Sequence, residues 1–103
     1  MSSIKIKSQR QKDYTEIKLL ITHPMENGRN RNPETGELIS AHFIKELVIK
    51  LNDTPVINVD LAGSVAKNPF FSFRLKNVAG GDKITASWVD NQQLSDSVDH
   101  LVN

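Results

Sequence analysis

Three histidines, one serine–lysine pair and one basic, aromatic turn are the groups in this 103-residue chain whose types suit chemistry. His23, His42 and His100 lie far apart, without the His-x-x-x-His or Cys-rich spacing that marks a metal site in sequence. They read as two strand-end histidines and one near the C-terminus, satisfied by hydrogen bonds or solvent. A metal site is the alternative reading, and none is expected. Ser64 and Lys67 stand at i, i+3, a spacing that builds a nucleophilic dyad on a helix. Pro69 argues against a helix there, and Ser64 is not in a Gly-x-Ser-x-Gly elbow. No catalytic residue is therefore assigned.

The turn is the richest stretch. Gly63 to Arg74 runs from a lysine and a proline into a strand with three of the four phenylalanines. It is not a phosphate loop, because the second glycine and the Ser/Thr after the lysine are missing. Phe71 and Phe73 share a face with Leu75 and are expected in the core. Phe70 points the other way, beside Ser72 and Arg74, and is the one aromatic expected at the surface. A single exposed ring suits a protein contact better than a base-stacking platform. Met25, after His23-Pro24, has two readings: a cover for the core edge, or a soft contact for a partner.

A net charge of +1 gives no overall field to gather nucleic acid or anionic lipid. The basic residues are nonetheless uneven, with Lys5, Lys7, Arg10 and Lys12 at the start and Arg29 and Arg31 around Asn30. The cysteine count is zero, which removes disulfides, thiolate nucleophiles and Cys-ligated metals. No apolar run is long enough to cross a membrane, and Met1 to Tyr14 lacks the apolar core of a secretory signal. Alone, the chain is expected in the cytoplasm.

These groups must be positioned by strands, because period-two alternation dominates. Ile17, Leu19 and Ile21 alternate with polar neighbours, as do Ile57, Val59 and Leu61, then Phe71, Phe73 and Leu75, then Ile84, Ala86 and Trp88. Ile4 and Ile6 suggest a short edge strand that Lys5 and Lys7 would guard against pairing. Val98, His100 and Val102 suggest a last strand. The stretch His42 to Leu51 fits a helix stripe through Ile44, Leu47, Val48 and Leu51. It also fits a strand face through Phe43, Leu47, Ile49 and Leu51, with Lys45 as the exception, and its shortness favours the strand. Gly80-Gly81-Asp82 is a hairpin candidate. About seven short strands with regular turns and no clear helix describe an all-β sandwich, with one domain expected over residues 1–103. Pro24 to Ser40 is a long polar connection of the kind that often carries function.

Three islands stand out: His23-Pro24-Met25-Glu26, Ile39-Ser40-Ala41-His42-Phe43-Ile44, and Gly63-Ser64-Val65-Ala66-Lys67-Asn68-Pro69-Phe70. Taken together they resemble the SoxZ family of bacterial thiosulfate oxidation. Trp88 with Asp90-Asn91 is similar to the end of the same pattern. The islands fall in order and at compatible spacing over nearly the whole chain. Asn27, Ser40 and Ala66 depart from the residues common in the family, often Thr, Pro and Ser, which puts any special role for those side chains in doubt.

The resemblance implies an immunoglobulin-like β-sandwich without the immunoglobulin cysteine pair. It implies a non-catalytic subunit and a partner, SoxY, that holds sulfur intermediates covalently on a cysteine near its own C-terminus. It also implies a periplasmic pair, the partner supplying the export signal, with transient contact to other Sox enzymes. No cofactor, nucleic acid or membrane is expected. Two partner-binding surfaces are expected: Pro24, Met25, Arg29 and Arg31 in the loop, and Ser64, Val65, Lys67, Asn68 and Phe70 in the turn. The alternative is a free-standing interaction module that forms a homodimer or binds another protein.

Overall fold

The computed structural model describes residues 3–61 and 66–103. Its elements are β1 (Ile4–Arg10), β2 (Thr15–Ile21), β3 (Ile44–Leu51), β4 (Thr54–Asp60), β5 (Phe70–Leu75), β6 (Lys83–Asp90) and β7 (Ser95–Leu101). They form two antiparallel sheets, ordered β1-β2-β5 and β4-β3-β6-β7. The result is an all-β, immunoglobulin-like sandwich, with seven strands among the described residues.

The alternation in the sequence explains the layers. Ile17, Leu19 and Ile21 of β2 face Leu47 and Ile49 of β3 and Ile84, Ala86 and Trp88 of β6 in one core, and all are buried. Burying each large side chain is worth about 1.5–3 kcal/mol, so the central strands carry the core. The closing side is tied by polar bonds between β1 and β7. Ser3 donates to Asp96 Oδ2 from its backbone N at 2.7 Å and from its hydroxyl at 2.6 Å. Ser8 Oγ lies 2.7 Å from His100 Nε2. The other side, β4 and β5, is more open. Phe71 and Phe73 stack at 6.2 Å between ring centres there, and both are half-buried against the core rather than enclosed in it.

The ambiguity over His42 to Leu51 has a physical cause. β3 is a strand, but it carries a bulge: Ile44 pairs with Asp90 and Glu46 with Val89, leaving Lys45 as the extra residue. The bulge puts Ile44 and Leu47 on the same inward face at a spacing that looks helical. A second irregularity sits where Ile49 pairs with Ile57 and Lys50 with Pro55. Pro55 is tolerated because β4 is an edge strand that needs fewer backbone donors.

Gly80-Gly81-Asp82 is not a hairpin, contrary to the expectation from sequence. β5 pairs with β2 and β6 pairs with β3, so this turn crosses from one sheet to the other. Gly81 adopts φ 91° and donates its N–H to the Val102 carbonyl at 2.8 Å, which docks the crossover on the C-terminus. β1 is an edge strand, as Ile4 and Ile6 suggested, and Lys5 and Lys7 are exposed along it.

Candidate functional site

One end of the sandwich gathers residues from four segments. β2 delivers His23, the long connection returns His42, β6 ends at Asp90, and the turn before β5 supplies Asn68. His23 and Asn68 are locked reciprocally: the His23 N–H donates to Asn68 Oδ1 at 3.0 Å, and the Asn68 N–H donates to the His23 carbonyl at 2.9 Å. The Ile21 N–H reaches the Pro69 carbonyl at 3.0 Å. The loop and the turn picked out from sequence are thus neighbours. Glu26 and His42 exchange backbone bonds of 2.7 and 2.8 Å, which folds the long connection into a ladder.

The buried centre is Asp90, which has no exposed surface. Its Oδ2 lies 3.1 Å from His23 Nε2 and 2.7 Å from His42 Nε2. Its Oδ1 accepts the N–H groups of Gln92 and Leu94, each at 2.9 Å. Burial pushes the Asp90 carboxyl up, but bonds from His23, Leu94, His42 and Gln92 together hold it below the usual carboxylate range. The site therefore contains a carboxylate that accepts hydrogen bonds on both oxygens.

The tautomer of His23 follows from its neighbour. The Met25 N–H donates to His23 Nδ1 at 3.1 Å, so that nitrogen is the acceptor and Nε2 carries the proton toward Asp90. The His23 ring stands edge-on to His42 at 4.6 Å and to Trp88 at 5.1 Å. Trp88 Nε1 donates to Ser3 Oγ at 3.1 Å. Asn91 clamps the next segment: it accepts the Phe43 N–H at 2.7 Å and donates from Nδ2 to the Ala41 carbonyl at 2.9 Å.

His23, His42 and Asp90 each place a ligand-type atom within 4.8 Å of the others. Their hydrogen bonding does not suit a metal. A cation at His23 Nε2 would need that nitrogen's lone pair, moving the proton to Nδ1, where the Met25 N–H already points. The arrangement is a proton-ordered network that fixes one end of the fold. His42 is its half-buried member, and His100 stands apart on the β1–β7 side.

The sequence-derived candidates divide. Met25 is buried at 5% exposure and accepts the Ile44 N–H on its sulfur at 3.4 Å, so it fills the core edge, the first of its two readings. Pro24, Arg29, Arg31, Lys67, Asn68 and Phe70 are exposed. Arg31 spends one donor on the Gly36 carbonyl at 2.9 Å. Phe70 is 60% exposed, as its alternation indicated. Ser64 and Val65 lie outside the described residues. Asp90 is a site residue that motif spacing does not mark. Its signal was there: it continues the inward register of Ile84, Ala86 and Trp88, and a charge on an apolar face demands partners.

Fold and site define a class: an immunoglobulin-like sandwich with one end fixed by a buried His–Asp–His network and flanked by exposed basic loops. A family model described as "Sulphur oxidation protein SoxZ" matches residues 4–100. The chain belongs to the SoxZ family, and so to the Sox system of sulfur oxidation. A search of curated proteins found no match. The islands that carried the resemblance in sequence meet in space: His23, His42, Asn68 and Asp90 come from different islands and are hydrogen-bonded to one another.

Proposed function

We propose that this chain is the non-catalytic subunit of a heterodimeric sulfur carrier. In this reading a SoxY-type partner holds sulfur intermediates on a cysteine near its C-terminus. The observation that carries it is the SoxZ match over residues 4–100 in a chain with no cysteine of its own. Such a chain cannot form a covalent thiosulfonate or persulfide bond, so the sulfur must be held elsewhere. The pair acts in the periplasm and visits other Sox enzymes in turn.

The exposed loop and turn at the His23 end serve the partner's loaded arm. A sulfonate group carries negative charge, and Arg29 and Lys67 are exposed cations on those segments. Attraction between exposed charges is worth about 1 kcal/mol or less, enough to bias the arm's position but not to hold it. The His–Asp–His network has a supporting role, fixing the backbone from which these cations project.

Co-expression with the product of the adjacent gene, followed by size exclusion, tests the reading. A one-to-one complex with a cysteine-tailed protein is expected. A stable homodimer that ignores that protein would favour the interaction-module alternative.

A further inference from the structure

The outer face of β1-β2-β5 is rich in cations. Register places its side chains in cross-strand rows. Lys5, Leu20 and Phe70 form one row, Lys7, Lys18 and Ser72 the next, and Gln9, Glu16 and Arg74 the third. Lys5, Lys7, Lys18 and Arg74 therefore share the face with a single carboxylate, Glu16. The outer face of the other sheet sets Glu46 opposite Asp60 instead. That second face is mixed, because Lys50 and Lys83 share it with Glu46, Asp60 and Asp99.

Two features of this face are unfavourable in isolation. Lys7 stands directly across from Lys18, a like-charge pair that destabilises a sheet. Lys18 has one relief, Glu16 at 3.2 Å, and it is half exposed. Beside the lysines, Leu20 is 41% and Phe70 60% exposed. Together Lys5, Lys7, Lys18, Leu20 and Phe70 line a depression of about 470 Å³. Lys5 and Lys7 lie on the edge strand β1, but Lys18 lies on the central strand β2, where no edge needs guarding. An apolar centre beside cations, of which Lys18 alone has a carboxylate partner among the described residues, fits a protein surface with an apolar side chain among carboxylates.

We propose that this face is the docking surface for the cysteine-bearing subunit, through an acidic patch with an apolar centre. The inference rests on the heterodimer reading above and adds to it which face of the sandwich is used. The docked subunit would cover Leu20 and Phe70 and neutralise Lys5, Lys7 and Lys18. Its arm would then reach the His23 end past Phe70, which follows Lys67, Asn68 and Pro69 in the chain.

The test is calorimetric titration of the cysteine-bearing subunit of the same Sox system into wild type, Lys7→Glu/Lys18→Glu, Phe70→Ala and Lys45→Glu. Lys45 is exposed on β3 in the opposite sheet and serves as the control. Circular dichroism confirms that each variant folds. The double charge reversal is expected to weaken binding about 100-fold and Phe70→Ala about 10-fold. Lys45→Glu should bind as wild type, and wild-type affinity should fall with added salt. Wild-type binding with both face variants unchanged would overturn the face assignment and leave the heterodimer intact. Absence of any wild-type complex would sink the heterodimer reading, and this one with it. Self-association of the wild type that charge reversal dissolves would assign the face to a second copy and overturn the proposal.

Discussion

His42 Nε2 sits 2.7 Å from Asp90 Oδ2, joining the return of the long connection to the last residue of β6. His23 reaches the same oxygen from β2 at 3.1 Å. Both sheets are thereby fastened at one end through a single buried carboxylate.

Asp90→Asn should destabilise the fold by about 1–3 kcal/mol. The amide can keep its oxygen toward the Gln92 and Leu94 N–H groups, but its NH₂ then faces the His23 Nε2–H, donor against donor. His23 cannot relieve this by switching tautomer, because Met25 occupies its Nδ1. Urea denaturation at neutral pH measures the loss, and an unchanged midpoint would contradict the network's role.

The same variant carries a pH signature. The Asp90 carboxyl lies below its ordinary range in the folded chain. Its contribution is therefore fully present above the unfolded carboxylate pKa of about 3.9 and is lost as pH falls through the lower folded value. The stability gap between wild type and Asp90→Asn should be constant near neutrality and shrink below about pH 4. A gap that widened in acid would reverse the sign and refute the assignment.

Asn68 holds φ 52°, a left-handed conformation, while its side chain accepts the His23 N–H. Asn68→Ala loses both advantages and should lower stability by about 1–2 kcal/mol. Asn68→Asp retains the acceptor and tolerates the conformation, so it should lose least, with Asn68→Gly between them. Equal losses for all three would show that the bond to His23 does not anchor the turn.

Much of this was legible before the structure. Strict alternation along Ile17–Ile21 and Ile84–Trp88 specified buried central strands, because a period of two has one burial solution. The bulge at Lys45 was not legible, since one extra residue mimics a helical stripe. Gly80-Gly81 misled because turn chemistry is local, whereas the choice between pairing within a sheet and crossing between sheets is made by distant partners. The histidine cluster was hidden for a related reason. His23, His42 and Asp90 meet through sheet topology, and no local spacing announces them.

Added zinc or EDTA should leave the melting temperature unchanged. A metal saturating a site at a hundred times its Kd would stabilise by about 2.7 kcal/mol, well within detection. A clear rise with zinc would mean that the Met25–His23 bond yields and that the His–Asp–His cluster is a ligand set.

The most direct measurement is intact mass of both chains in the native complex, isolated with and without thiosulfate. The carrier reading expects added sulfur mass on the cysteine-bearing chain alone, with this chain at its sequence mass in both samples. Sulfur mass on this chain, or its isolation without a cysteine-bearing partner, would contradict it.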